Sequence, residues 1–463
     1  MILWILAILI GVLAGVLVPS LWWALGGIQS YVSERAYFGP IPMDTLGASF
    51  LLAFGSSFLV AFLMVSFRGF RSADGFTYFI SDLHFQDGRR KLRFSFLHGI
   101  CAFLMLLGGG VVGIEAFGLE VLSALGSSFA IRGRLPPSNV RILMACGATA
   151  TLAAVLGQPI AAFLFIGELL FGRGHRFFSF GPYAVAAFVA SSVSQNLTSP
   201  LGWFPSVLAN DGGFFLAVRG ETGDLSWYAG LIAAGAIAIV VSVIAAGNIW
   251  LHRKTDAEFH ALFSTRRASD ISPFAFFLRV VFWGALTMAV LVVIPKAVGT
   301  GVDLLQSMLS RDAAILSILV VIGIRIFLST VTYSVLGSMG LVLPTLVLGG
   351  LVGVLINQMI GPYVPVMEST VVLLTTGAFF AASFGTPVAA TALLLGYSEG
   401  ILSDNAVFLF SARICSGATP CRIRCAIREI SIFVFPDPAP ANTHTGPSVA
   451  STASRCRSFK SDK

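Results

Sequence analysis

Long apolar runs, rather than an alternation of apolar and polar positions, set the pattern of this chain. Uncharged windows occupy residues 1–33, 45–67, 142–167, 177–210, 225–251, 326–367 and 369–398, and the window 94–131 is broken only by His98, Glu115 and Glu120. A hydrocarbon core about 30 Å thick is crossed by roughly 20 apolar residues in a helix, so each window can supply at least one span. Membrane barrels instead alternate apolar and polar residues over short strands, so continuous runs predict helices. The expected fold is therefore an all-α polytopic membrane protein. No charged n-region precedes the first window, and its length favours an uncleaved span over a cleaved signal.

Composition agrees with this pattern. The 463 residues are 56% hydrophobic and 11% charged, against about 25% charged in soluble globular chains. The formal charge of +7 is distributed as membrane topology requires. Arg68, Arg71, Arg89, Arg90, Lys91 and Arg93 crowd one connection; Arg132, Arg134 and Arg141 fall in the next, then Arg173 and Arg176, then Arg253, Lys254, Arg266 and Arg267. The intervening connections are poorer: 26–44 holds only Arg35, 196–224 only Arg219, and 295–312 only Lys296 and Arg311. Under the positive-inside rule the rich connections and the N-terminus face the cytoplasm. Dispersed basic residues without a recognisable module exclude a nucleic-acid partner. Cys101 and Cys146 lie inside apolar windows, and Cys415, Cys421, Cys425 and Cys456 are spaced unlike a zinc site. No metal or cofactor is expected. The spans hold no clustered catalytic set, so an enzyme is not expected either.

The membrane domain is expected over residues 1–412, followed by a basic, Ser/Pro/Cys-containing and poorly ordered tail, 413–463. Two halves, about 45–200 and 225–400, repeat one another. Residues 153–162 read A-A-V-L-G-Q-P-I-A-A and residues 381–390 read A-A-S-F-G-T-P-V-A-A, an offset of 387 − 159 = 228. Leu107-Gly108 and Leu336-Gly337 keep almost the same spacing, 336 − 107 = 229. Duplicated membrane halves commonly build a site at the midplane, where broken helices meet and point their N-termini at an anion. Chance similarity among Gly/Ala-rich helices is the competing account.

The glycine-dense run Gly108 to Gly118 carries Glu115 inside an apolar window. Glycine permits a break in the helix and close approach of backbone to an ion. The helix that follows offers unpaired N–H groups and a positive dipole end. Glu115 would compete with an anion for those amides when ionised and leave them when protonated, which makes a gate. The alternative is an interfacial or ion-paired carboxylate. Glu120, about 140° further round the helix, is expected to be structural. In the second half Gly337 and Gly340 precede Leu341, Val342 and Pro344. Proline suits the first turn of a new helix, so the amides of Leu341 and Val342 are candidates to face the same spot. A simple Gly/Pro kink is the alternative.

These residues resemble the CLC family of chloride channels and proton-coupled chloride exchangers. The family's Gly-Arg-Glu-Gly-Pro motif is similar to Gly113-Ile114-Glu115-Ala116-Phe117, and its Gly-Ile-Phe-Ala-Pro motif to Gly340-Leu341-Val342-Leu343-Pro344. Gly157-Gln158-Pro159-Ile160-Ala161 is similar to its Asn-Ala-Pro-Leu-Ala segment, and Arg325 to its basic residue upstream of the second loop. The likeness spans about residues 45–400. It implies a CLC-like inverted repeat, a homodimer with a pathway in each subunit, and a gating and proton-carrying Glu115. It also implies chloride or a similar small anion held by Gly113, Ile114, Ala116, Phe117, Gly340, Leu341, Val342 and Phe76. Phe76 falls where the family's Gly-Ser-Gly-Ile-Pro loop carries its serine. The acidic pair expected to hold an inner proton relay reads Glu168-Leu169, leaving Glu168 as a substitute relay or an ion-pair partner. No tyrosine follows Tyr397 to serve as the family's pore-lining tyrosine. A prokaryotic plasma (inner) membrane is the expected location. An inverted-repeat secondary transporter of another substrate remains the alternative function.

Overall fold

The computed structural model describes residues 2–35, 37–38, 41–42, 45–66, 79, 82–83, 86–171, 180–201, 227–263, 273–294, 297–309, 314–336, 340–360 and 368–398. These lie within one compact unit, Met1–Pro420. The expected tail, 413–463, and the Gly75–Tyr78 stretch with Phe76 fall outside the described residues.

The helices in chain order are α1 (Ile2–Arg35), α2 (Thr45–Ser66), α3 (Leu92–Leu107), α4 (Glu115–Arg132), α5 (Pro137–Leu156), α6 (Pro159–Phe171) and α7 (Phe180–Leu201). They continue with α8 (Trp227–Phe263), α9 (Pro273–Val293), α10 (Val302–Leu309), α11 (Ile315–Leu336), α12 (Val342–Ile360), α13 (Glu368–Phe384) and α14 (Pro387–Ser398). Two short strands, β1 (Tyr37–Phe38) and β2 (Ile41–Pro42), pair antiparallel with Tyr37 opposite Pro42. Among the described residues, five helices are long and apolar enough to cross a membrane. Large side chains left open on α8 and α11, such as Ile239, Val243 and Leu316, form a surface suited to lipid rather than water.

Helix packing repeats between the halves. α4 packs on α5 as α12 packs on α13, α3 on α4 as α11 on α12, α2 on α3 as α9 on α11, and α1 on α5 as α8 on α13. The most extensive helix contacts between the halves join counterparts, α2 with α9 and α6 with α14. A pseudo-twofold axis produces this pattern, because elements on the axis must meet their own images.

Small residues make the inner pairs close. A Cβ at Gly126 would strike the Leu143 carbonyl, and one at Gly147 the Leu122 carbonyl, so α4 and α5 touch backbone to backbone. Gly349 and Gly353 play the same part on α12, against the Thr376 and Val372 backbone of α13. Van der Waals contact of this kind drives association where lipid removes most of the hydrophobic driving force. α5 starts with a proline in its first turn and stops at Gly157, whose φ of 67° is the left-handed cap conformation. α6 therefore begins two residues later on a new axis, at Pro159.

Candidate functional site

Both glycine breaks predicted from sequence bring a helix N-terminus to one point. α3 ends at Leu107, the chain runs non-helically through Gly108–Ile114, and α4 starts on Glu115. α11 ends at Leu336 and α12 starts on Val342. The two connections meet as a single antiparallel bridge between Gly113 and Gly340, with the Gly113 N–H donating to the Gly340 carbonyl at 2.9 Å.

Glu115 occupies the junction and is 0% exposed. Its Oε1 accepts the backbone N–H of Leu343 at 3.0 Å, and the amides of Val342 and of Glu115 itself also face the carboxyl group. Oε2 accepts no bond of normal geometry. The carboxylate thus belongs to α4 by chain and to α12 by contact, at the positive end of both dipoles. Absence of side chains makes the seat. A Cβ at Gly113 would overlap both carboxyl oxygens, and one at Gly340 would stand 2.6 Å from the carboxyl carbon and 2.8 Å from the Ala116 nitrogen.

The remaining predicted ligands surround this point unequally. Gly113 accepts the Ala116 N–H at 3.1 Å. Ile114, Ala116 and Val342 are buried, Phe117 is buried with its ring edge-on to Phe96 at 6.3 Å, and Leu341 is half-buried. The expected donors from the second half were Leu341 and Val342; the amide that bonds Glu115 is that of Leu343, which sequence reasoning missed. The repeat offset contained the signal, since Leu343 lies 228 positions after Glu115 and is its image.

Arg173, which flanks Glu168 in sequence, lies outside the described residues, and Glu168 is held by main-chain donors of the other half. Its two oxygens accept the N–H groups of Val388 at 3.0 Å and Ala389 at 2.8 Å. It caps α14, which opens without an acidic residue in its first turn and so has donors to satisfy. Around it, Gln158 Nε2 donates to the Gly396 carbonyl at 3.1 Å and Tyr397 donates to the Leu156 carbonyl at 2.8 Å. Together these bonds lace α14 to α6, to the end of α5 and to the connection between α5 and α6. Glu120 is 3% exposed and joins Arg90 at 2.7 Å, the same guanidinium reaching Asp82 at 3.3 Å. Arg325 is 0% exposed and donates to the carbonyls of Ala297, Gly299 and Thr300; among the described residues it forms no ion pair.

Comparisons with known proteins bear on most of the chain. The family model described as voltage gated chloride channel matches residues 52–402. The voltage-gated ClC-type chloride channel ClcB of Escherichia coli is 26% identical over 311 residues, 66% of this chain and 68% of that protein. Its counterpart from Citrobacter koseri is 28% identical over 290 residues, 62% of this chain and 63% of that protein. Thus the match spans about two thirds of each relative's length. Among solved structures, a slow cyanobacterial Cl−/H+ antiporter superposes with a TM-score of 0.70 at 18% identity, covering 93% of this chain and 98% of that one. A CLC-type fluoride/proton antiporter gives a TM-score of 0.66 at 20% identity, covering 89% of this chain and 95% of that one. The likeness to these two structures is one of fold.

Proposed function

This chain belongs to the voltage-gated chloride channel family, and on that premise we propose that it carries chloride across a membrane through a pathway closed by Glu115. One observation carries the reading: a buried carboxylate seated between two facing helix N-termini, on the Leu343 amide. Backbone N–H groups and dipole ends hold a monovalent anion without a full opposing charge. The ionised Glu115 side chain is itself such an anion, tethered by its own chain. Protonation removes its charge and its claim on the amides, and a chloride ion takes the seat. Ions bind there and leave again because no cation among the described residues is bonded at the seat.

The engagement of Glu168 supports a passive or loosely coupled pathway. Both of its oxygens are occupied by main-chain donors, and the next position, Leu169, is apolar. The charge bias of the connections supports a cytoplasmic N-terminus, and the bacterial relatives support a prokaryotic inner membrane. Two copies, each with its own pathway, form the proposed particle, whose mass in detergent checks it.

Proteoliposomes loaded with chloride and monitored for external pH test the function. Native protein passes chloride faster in acid, and Glu115→Gln passes it at a rate insensitive to pH. If neither protein passes chloride, fluoride or nitrate, the function is wrong. Uphill proton movement driven by a chloride gradient would overturn the passive reading.

A further inference from the structure

We propose that Arg325 is the positioning residue of the gate, acting from the second repeat through main-chain bonds on the glycine break that carries Glu115. This rests on the gate reading above and names what sets the gate's geometry.

Arg325 is a fully buried basic group midway along the apolar helix α11, a setting in which such groups are costly and usually functional. Its compensation is a cage of carbonyl dipoles from one turn of chain. Nη1 donates to Ala297 at 3.0 Å and Gly299 at 3.3 Å, and Nη2 to Thr300 at 2.8 Å. Gly301 closes the turn with a φ of 78°, and a Cβ there would overlap the guanidinium. The fork of a guanidinium spans three carbonyls in this way; a lysine ammonium is a single point and does not.

That turn leads to the gate. The Gly299 N–H donates to the Gly109 carbonyl at 2.9 Å. Gly109, at φ 89°, packs so closely that a Cβ would lie 3.2 Å from Thr287 and 3.4 Å from Val298. One residue on, a Cβ at Gly110 would lie 2.9 Å from the Trp283 ring, and Trp283 Nε1 is held by Thr332 Oγ1 at 2.9 Å. Thr332 is two helical turns from Arg325 on α11, hence on the same face. Gly113 is then bonded to Gly340, in the connection that leaves α11. The break is thus gripped at Gly109, Gly110 and Gly113 by parts built on or around α11, and Glu115 follows two residues later. The Gly113–Gly340 bridge forms the seat of Glu115, whereas the bonds of Arg325 run to Ala297, Gly299 and Thr300, so Arg325 sets where the carboxylate sits through the main chain. Other ionisable groups on described elements packed against the gate, namely Glu120 and Arg132 of α4, Arg93, His98 and Cys101 of α3, and Arg141 and Cys146 of α5, make no hydrogen bond to Glu115.

A four-protein cycle in proteoliposomes tests this: native, Arg325→Gln, Glu115→Gln and the double variant, with chloride flux read in acid and at neutral pH. Arg325→Gln loosens the seat, and the acid-to-neutral flux ratio falls about fivefold, the weight of one main-chain hydrogen bond. In the Glu115→Gln background the same substitution leaves flux unchanged. Equal losses in both backgrounds mean a structural role and overturn the proposal, as does an unchanged ratio in Arg325→Gln. A Glu115→Gln protein that keeps the native pH profile overturns the gate reading itself, which is a separate outcome. Arg325→Lys, which keeps the charge, and Gly301→Ala, which pushes a methyl at the guanidinium, are expected to lower the ratio too. They keep the test decisive if Arg325→Gln does not yield a monodisperse protein.

Discussion

Gly113 and Gly340 are the residues on which the gate depends most directly, because each is glycine for the same steric reason. A methyl at Gly340 would sit 2.6 Å from the Glu115 carboxyl carbon and 2.8 Å from the Ala116 nitrogen, so the carboxylate is displaced and the start of α4 shifts with it. Gly340→Ala is therefore expected to lift Glu115 off the Leu343 amide, raising chloride flux at neutral pH toward its acid value by about two- to tenfold, the weight of one hydrogen bond. Flux that is low and still fully pH-dependent would mean that the carboxylate fits beside the methyl. Glu115 was legible in the sequence because a lone acid after a dense glycine run is conspicuous in an apolar window. Leu343 was not, because an apolar residue carries no sign that its main-chain N–H is the functional atom. Only the internal offset of 228 could have pointed to it.

At the scale of elements, the pairing of α6 with α14 shows how one repeat completes the other. α14 begins Pro387-Val388-Ala389, with no acid of its own, and Glu168 of α6 supplies the acceptor for Val388 and Ala389. Loss of a helix cap costs about 1 kcal/mol. Glu168→Ala is expected to lower the thermal stability of the solubilised protein by that order while leaving anion flux and any proton movement unchanged. Abolished proton movement with intact flux would instead make Glu168 a relay. Sequence matched Gly-Gln-Pro with Gly-Thr-Pro as corresponding points of the two halves, but it left Glu168 as a substitute relay or an ion-pair partner. Spacing along one chain sees neighbours in sequence; a cap provided from 220 residues away leaves no local trace. Arg325 failed to be placed for the same reason, since its partners are carbonyls that every residue possesses.

For the molecule as a whole, sequence foresaw two similar halves with broken helices, and the doubled packing pattern agrees; what it could not foresee was how the connections between spans are tied down. Arg90 shows the principle. It reaches Asp82 at 3.3 Å and Glu120 at 2.7 Å, and its N–H donates to Ser127 at 3.0 Å, fixing the connection before α3 onto α4. Two carboxylates share one guanidinium, so one of them is under-compensated. Asp82, outside the spans, bears that: burial, helped by the charge of Glu120, outweighs Arg90 and pushes its carboxyl from the usual 3.8 up to about 6. A carboxyl that holds its proton more tightly folded than unfolded stabilises the fold below the unfolded value, and that contribution is lost as pH rises through the folded one. Stability should therefore fall between about pH 4 and about pH 6 by on the order of 3 kcal/mol from this group. Asp82→Asn stays neutral throughout, and its melting temperature in detergent is expected to change less over that interval than that of the native protein. Parallel melting curves for the two proteins would show that Arg90 holds Asp82 ionised, and that the shared guanidinium is enough for both carboxylates.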